Sequence, residues 1–355
     1  MYDWRKFDSH FMQEIVLNIK PAKIVSIEKD FLNEFPNLEN FTLTSENISK
    51  IELNSFQNLI KLMRLNFWGN QIVEIISNGF QGLDNLEELC LGNNKLIKIE
   101  SNSFQHLNHL KKLDLQMNEI SEIDVNGFQG LNNLEILDLG HNIFSKILPN
   151  TFEPLKKLKK LLLQWNDNFL RVDLNFFQGL ENLEELILSY NKLRGIGLNL
   201  FQNLNNLKIL SFRQNFIKTI DLNAFQGLEN LEELDLWNNE LNKIESSTFQ
   251  HLTKLKKLDL STNQIEKIDF NEVKCLENLE ELNLRNNRLT RVESNSFLGL
   301  KKLKKLSLNE NHIESIDSNG FHGLDNLEEL EFGENKLNEI QPIFIEHMKH
   351  LKIKY

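Results

Sequence analysis

The residues of this chain that could carry chemistry are few and poorly spaced for it. Two cysteines occur, Cys90 and Cys275. His251 and Cys275 lie 24 residues apart, yet two ligands are too few for a closed metal site, and Gly227 and Gly299 hold the same slot in neighbouring stretches. The segment from Asp124 to Glu135 has the end-to-end length of a calcium loop, but Phe128 and Gln129 stand where a ligand and the turn glycine belong. A phosphate-cradling glycine loop, an H-E-x-x-H helix and a nucleophile elbow are all missing. These absences predict a protein that is no enzyme and needs neither metal nor cofactor. What remains is the chemistry of contact: Trp165, Tyr190 and Trp237, with Arg213 placed to lie over an aromatic face.

Composition narrows the partners. The 355 residues include 40 Lys+Arg against 51 Asp+Glu, an acidic balance that argues against a nucleic acid partner, which needs clustered basic charge. The first residues mix Asp3, Arg5, Lys6, Asp8 and Glu14 with apolar ones, so no signal-peptide core is visible. No run approaches the roughly 18 apolar residues of a membrane span. Asn40-Phe41-Thr42 and Asn47-Ile48-Ser49 are glycosylation sequons, of the kind that chance supplies in so Asn-rich a chain.

The contact residues must be held by something, and that something is periodic. Leu86, Leu89, Leu91, Asn94, Leu96, Ile99, Phe104 and Leu107 recur 24 residues later as Leu110, Leu113, Leu115, Asn118, Ile120, Ile123, Phe128 and Leu131. The frame Asn returns at 70, 94, 118, 142, 166, 191, 215, 239, 263, 287, 311 and 335, every step 24 except one of 25. Glu46 and Ala22 take its place in two earlier, weaker turns. Alternation as in Leu89-Cys90-Leu91 predicts a short strand with leucines inward and the intervening residue outward. The Asn amide both donates and accepts, so it can satisfy backbone groups where the chain leaves the strand. A spine of Phe is expected at 56, 80, 104, 128, 152, 177, 201, 225, 249, 297 and 321. No single turn buries its apolar face alone, so stability is shared between neighbours. Cys90 falls on the strand and Cys275 on the opposite side, which excludes a disulfide between them; two free thiols suit a reducing compartment.

The pattern L-x-x-L-x-L-x-x-N-x-[IL]-x-x-[IV]-x-x-x-x-F-x-x-L resembles the 24-residue "typical" leucine-rich repeats of Toll-like receptor ectodomains, Slit and related animal adhesion proteins, over about residues 17 to 351. The resemblance implies an α/β solenoid, a right-handed horseshoe with a concave parallel sheet and a mostly irregular or short-helical convex side. It implies a receptor-like, extracellular scaffold of innate immunity or cell adhesion that binds a protein, glycan-bearing or not, on its concave face. The absence of a signal peptide and of cysteine-clustered caps points instead to the cytoplasm. Asp114, Asp138, Asp235 and Asp259 match the common L-D-L of such repeats and are read as scaffold rather than ligands.

A 48-residue period overlies the shorter one. The residues before the strand's first inward Leu read Glu87-Glu88, Lys111-Lys112, then Lys159-Lys160, Glu184-Glu185, Glu232-Glu233, Lys256-Lys257, Glu280-Glu281, Lys304-Lys305 and Glu328-Glu329. Parallel neighbours set about 5 Å apart would place opposite charges side by side. Such alternation fixes register and cancels any field a partner could read. Ile136 and Ile209 break it. Leu162 and Ile187 replace the polar residue at the central outward position, Trp165 and Tyr190 precede the frame Asn, and the one 25-residue turn, with its extra residue within 166–169, falls there too. Ile136, Leu162, Trp165, Ile187, Tyr190, Ile209, Arg213 and Trp237 are therefore the candidate partner-binding residues, expected to form one aromatic patch. Trp68 and Arg285 are isolated further candidates.

Residues 1–37, with the degenerate turn, are expected to cap the array, and residues 38–355 to supply about thirteen further turns. No cap motif follows Leu351, which suggests a fragment of a longer protein. The other functions the sequence admits are a structural spacer, or a non-catalytic subunit or inhibitor holding an enzyme.

Overall fold

Most turns place three residues in a strand, and the middle one is apolar in every such strand. In the strands Glu88–Cys90, Lys112–Asp114, Ile136–Asp138 and Lys160–Leu162 that residue is buried and its neighbours are half-buried or exposed, as side-chain alternation requires. A computed structural model describes residues 13–18, 26–27, 32, 35–44, 47–172, 175–244, 246–268, 270, 274–337, 339–348 and 350–355. Most of the segment expected to cap the array lies outside them. The chain forms two compact units: residues 1–169 with 175–183, and residues 170–174 with 184–355.

Both units are solenoids of parallel strands stacked one turn apart. In the first, the order runs Glu14–Asn18, Asn40–Thr44, Arg64–Asn66, Glu88–Cys90, Lys112–Asp114, Ile136–Asp138, Lys160–Leu162. In the second it runs Glu185–Ile187, Ile209–Ser211, Glu233–Asp235, Lys257–Asp259, Glu281–Asn283, Lys305–Ser307, Glu329–Glu331, Lys352–Lys354. The register is uniform: Leu89 faces Leu113 and Leu234 faces Leu258. The opposite side holds two-residue strand pairs such as Lys98–Ile99 with Glu122–Ile123. Among the described residues the remainder there is turns and the 3-10 segments Ser246–Phe249, Lys274–Leu276 and Pro342–Phe344. No helix among the described residues is long and apolar enough to cross a membrane.

The frame Asn works as its chemistry predicts. Asn118 donates from Nδ2 to the carbonyls of Leu91 and Leu115 at 3.0 Å each, and its Oδ1 accepts from the Leu96 amide at 3.0 Å. Asn215 repeats this in the second unit with Leu188, Phe212 and Leu193. One side chain thus ties two turns together and pairs three backbone groups at the exit from the strand.

The Phe spine stacks in near-parallel pairs, for example Phe80 on Phe104 at 6.1 Å and 11°, and Phe201 on Phe225 at 6.4 Å and 9°. At the long turn it changes. Phe152 meets Phe176 edge-on at 5.5 Å and 64°, and Phe169 packs on Phe176 at 5.7 Å. The extra residue lies in the exposed turn at Asp167 and Asn168, so Phe169 takes the buried place that Ile120 holds after Asn118.

Glycine at 130 and 227 follows the same logic of close stacking. Gly130 has φ +96°, and a Cβ there would lie 2.5 Å from the Gln105 carbonyl of the preceding turn; at Gly227, φ +94°, it would lie 2.7 Å from the Phe201 carbonyl. Only a residue without Cβ fits both constraints.

Candidate functional site

The outward residues of the strands form the exposed face of each sheet, and most of that face is neutralised. Lys111 pairs with Glu87 at 2.8 Å, Lys159 with Glu135 at 2.8 Å, Lys208 with Glu184 at 2.6 Å, Lys256 with Glu232 at 2.7 Å and Lys304 with Glu280 at 2.7 Å. A second row pairs Arg64 with Glu88 at 3.0 Å, Lys257 with Glu233 at 3.0 Å and Lys305 with Glu281 at 3.6 Å. The 48-residue charge period is thus a ladder of cross-turn ion pairs. At such exposure each pair contributes about 0–1 kcal/mol, so the ladder sets register more than it adds stability.

The aspartates of the central row have backbone work. Asp138 Oδ1 accepts from the Gly140 amide at 2.9 Å, Asp235 Oδ1 from Trp237 at 2.9 Å, Asp259 Oδ1 from Ser261 at 2.9 Å and Asp114 Oδ1 from Gln116 at 3.0 Å. Each fastens the chain as it leaves the strand. The arrangement has an electrostatic cost, because Asp114 faces Asp138 and Asp235 faces Asp259 in register. Burial, reinforced by Asp114, pushes the Asp138 carboxyl up to about 6. Burial and then Asp259 raise Asp235. The Cys90 thiol, 3.5 Å from Asp114 Oδ2, is pushed up to about 12 by burial and that carboxylate, so it stays a thiol at neutral pH. Both cysteines are free. Among the described residues no group of three or more His, Cys, Asp or Glu is placed to hold a metal ion.

The candidate residues fall into two groups, one in each unit. In the first, Ile136 lies between Lys112 and Lys160 in register, and Leu162 lies beside Asp138. Trp165 is 43% exposed and stacks on His141 at 5.3 Å and 10°. In the second, Ile209 lies between Glu185 and Glu233, and Ile187 lies beside Ser211. The Arg213 guanidinium sits 4.0 Å above the Trp237 ring, the cation–π contact that their positions suggested. Tyr190 donates its amide to the Arg213 carbonyl at 2.7 Å. Trp68 lies against Gly92, where a Cβ would come within 2.3 Å of its ring, and Arg285 pairs with Glu310.

Two features escape sequence reasoning. The residue before the frame Asn is left-handed throughout: φ is +53° at His141, +60° at Trp165, +57° at Tyr190 and +56° at Gln214. Its amide donates to the next turn, as His141 does to Gln164 at 2.8 Å, so the backbone ladder continues past the strand. Asn occupies this position at 93, 238 and 286, in keeping with its tolerance of that conformation. Bulky side chains there stand at the rim of the sheet. Met117, at this position, and Ile143, which follows the frame Asn142, are each 44% exposed. Their signal was available: apolar residues where other turns carry Asn, Lys or Glu.

Comparison with known proteins agrees with this geometry. The chain matches the family described as "Leucine rich repeat" at residues 60–120, 108–167, 181–241, 229–289, 277–337 and 301–353. Comparison of the sequence with curated proteins finds no match. Among solved structures, a leucine-rich-repeat protein of Leptospira interrogans is similar, with TM-score 0.70 and 28% identity over 97% of this chain and 90% of its own. An internalin from Listeria monocytogenes is similar with TM-score 0.68 and 25% identity, over 90% of this chain and 87% of its own. The Toll–Spatzle complex of Drosophila shares the fold, with TM-score 0.71 and 20% identity over 92% of this chain and 42% of the other.

Proposed function

The chain belongs to the leucine-rich-repeat family, and from that premise we propose that it is a recognition scaffold which binds a protein partner on the exposed face of its parallel sheets. Repeats of this family commonly serve as protein-interaction scaffolds, and Toll with Spatzle is a solved pairing on this fold. The observation that carries the reading is local. On a face otherwise closed by ion pairs, Ile187, Ile209 and Trp237 bring apolar surface to adjacent turns of the second unit, with Arg213 over Trp237. Clusters of aromatic, aliphatic and Arg residues in a polar surround are what binding hot spots are made of. Trp165, Leu162 and Ile136 offer a second such cluster in the first unit. The setting of such recognition in innate immunity or adhesion follows from the same resemblance.

Photo-crosslinking tests this directly. A crosslinker at position 187, 209 or 237, exposed to the proteins of the source organism, should capture a discrete partner that a crosslinker at Leu198 or Leu222, on the opposite side, does not. Trp237→Ser should lose that partner with little change in thermal stability. Equal capture from both sides, or capture indifferent to Trp237→Ser, would remove the basis for assigning binding to this face.

A further inference from the structure

Asparagine stands directly before glycine at Asn78-Gly79, Asn126-Gly127 and Asn319-Gly320. Each pair lies in a turn opposite the main strands, with the asparagine two residues before a Phe of the spine. Such a pair has a chemistry of its own. The backbone nitrogen after an asparagine can attack the carboxamide carbon, and glycine, with no Cβ, leaves that nitrogen least shielded. The nitrogen gives up its proton to solvent and bonds to Cγ; the Cγ–Nδ2 bond breaks and ammonia leaves. Water then opens the five-membered imide to aspartate or isoaspartate.

The fold treats the three pairs unequally. The Asn78 carboxamide oxygen is gripped from the following turn: Gln105 Nε2 donates to it at 2.5 Å, and His106 Nε2 lies 2.7 Å away. Asn78 is also half-buried and left-handed, with φ +65°. Asn126 and Asn319 are exposed and lie outside the left-handed region. At the spacing of Gln105 and His106, Asn126 is followed by Glu153 and Pro154, and neither an ionised carboxylate nor a proline side chain donates to an amide oxygen. Among the described residues no hydrogen bond holds the side chain of Asn126 or Asn319. The glycine amides do not distinguish the pairs, since Gly79, Gly127 and Gly320 donate to the Ile76, Asp124 and Asp317 carbonyls at 2.9, 2.8 and 2.9 Å. We propose that Asn126 and Asn319 are sites of spontaneous deamidation, each by cyclisation onto the glycine that follows, and that the grip of Gln105 and His106 spares Asn78. The reaction touches the frame. The Asn126 carbonyl accepts from the Asn102 amide of the preceding turn at 3.1 Å, and the Asn319 carbonyl from the Asn295 amide at 2.9 Å. Isoaspartate reroutes the chain through Cβ and Cγ, so the carbonyl that joined two turns becomes part of a pendant carboxylate.

The test is incubation of the full chain at mildly alkaline pH, sampled over days and read by peptide mapping with mass spectrometry. The peptides holding Asn126 and Asn319 should gain aspartate and isoaspartate several-fold faster than the peptide holding Asn78. In denaturant the three rates should converge, because each pair is then Asn-Gly without the fold. The double variant Gln105→Ala, His106→Ala should bring Asn78 up towards the rate of the other two. The inference falls if Asn78 reacts as fast as the others in the folded chain, or if Asn126 or Asn319 stays intact there while all three react in denaturant. It also falls if the rates stay as unequal in denaturant as in the fold, or if the double variant leaves the Asn78 rate unchanged.

Discussion

At Ile136 isoleucine takes the place of a carboxylate in the charge ladder, between Lys112 and Lys160; at Ile209 it takes the place of a lysine, between Glu185 and Glu233. The two sites share frame, register and residue, yet their surroundings are opposite in sign. Around Ile136 the apolar surface continues to the rim through Trp165 stacked on His141. Around Ile209 it continues through Trp237 under Arg213. The difference teaches that the same apolar replacement in an alternating ladder acquires neighbours of one sign or the other according to the strand it falls on. A single substitution sets a half-buried hydrophobic platform between two residues of like charge. Two such substitutions place isoleucine between lysines in the first unit and between glutamates in the second.

The comparison assumes that the two regions have the same frame beneath them, and the largest predicted effect tests that assumption. Asn142→Ala would orphan the Ile120 amide and take one of two Asn donors from the Leu115 and Leu139 carbonyls, and Asn215→Ala would do the same to the Leu193 amide and the Leu188 and Phe212 carbonyls. With one buried amide left unpaired and two carbonyls losing one of two donors in each case, each variant should lose about 2 kcal/mol or more in chemical denaturation. Losses that differ by more than a factor of about two would show that the regions are not framed alike.

The rim position separates the regions next. Trp165 and Tyr190 both hold φ near +60°, so replacing either with Ala removes the ring and keeps the left-handed strain, whereas Asn tolerates that conformation. Trp165→Ala should cost roughly 1 kcal/mol more than Trp165→Asn, since Asn fills the same position at 93, 238 and 286. The Asn variants are therefore the clean probes of binding. A contribution of the rim to recognition predicts that Trp165→Asn weakens the first unit's contacts and that Tyr190→Asn weakens the second's. Equal stability of the Ala and Asn variants in thermal melts would contradict the strain argument.

The frame was legible in the sequence because its residues repeat. Leu, Asn and Phe recur at fixed intervals, and each has one physical job in a turn, so the parallel stacking and the Asn bridges follow from pattern alone. The contents of the face were legible for the complementary reason: Ile136, Leu162, Ile187 and Ile209 interrupt positions that are polar elsewhere. Three things were not legible. The left-handed residue before the frame Asn carries Met, His, Trp, Tyr, Gln or Glu as readily as Asn, so propensity is overridden by the amide bond to the next turn. Phe176 joins the spine through a turn whose extra residue breaks the counting. The division of the eight candidate residues between two compact units depends on contact density through the long turn, which periodicity does not report.

Acid–base behaviour distinguishes the regions by a smaller margin. The Asp138 carboxyl is raised to about 6 in the folded chain, through burial and Asp114, whereas an unfolded Asp titrates near 3.9. Folding therefore favours the protonated form. The penalty is absent below the unfolded value, grows as pH rises between about 4 and 6, and is complete above 6. Lowering the pH from 7 towards 5 should relieve it, and Asp138→Asn should remove that part of the pH dependence while raising stability at pH 7 by on the order of 1 kcal/mol after allowance for solvent screening. Asp235 is raised from the same causes in the second unit, so Asp235→Asn should act in the same direction. A melt series in which Asp138→Asn leaves the slope between pH 4 and 6 untouched would show that the Asp114–Asp138 pair is not strained.

The smallest effect returns to the two isoleucines. Ile136→Glu puts a carboxylate between Lys112 and Lys160, and Ile209→Lys puts an ammonium between Glu185 and Glu233. Each completes a rung that the ladder uses elsewhere, with distances of 3.0 Å at Lys257 to Glu233 as the precedent. Because the pairs are exposed, each restoration should change stability by no more than about 1 kcal/mol, and any gain should shrink as salt is added. The apolar side chain forfeits little, since both isoleucines are only half-buried. The opposite substitutions, Ile136→Lys and Ile209→Glu, should be the less stable member of each pair by a similar margin. If all four variants instead lost several kcal/mol, the isoleucines would be core residues placed for packing, and the reading of both regions as surfaces kept open for a partner would fail on stability grounds alone.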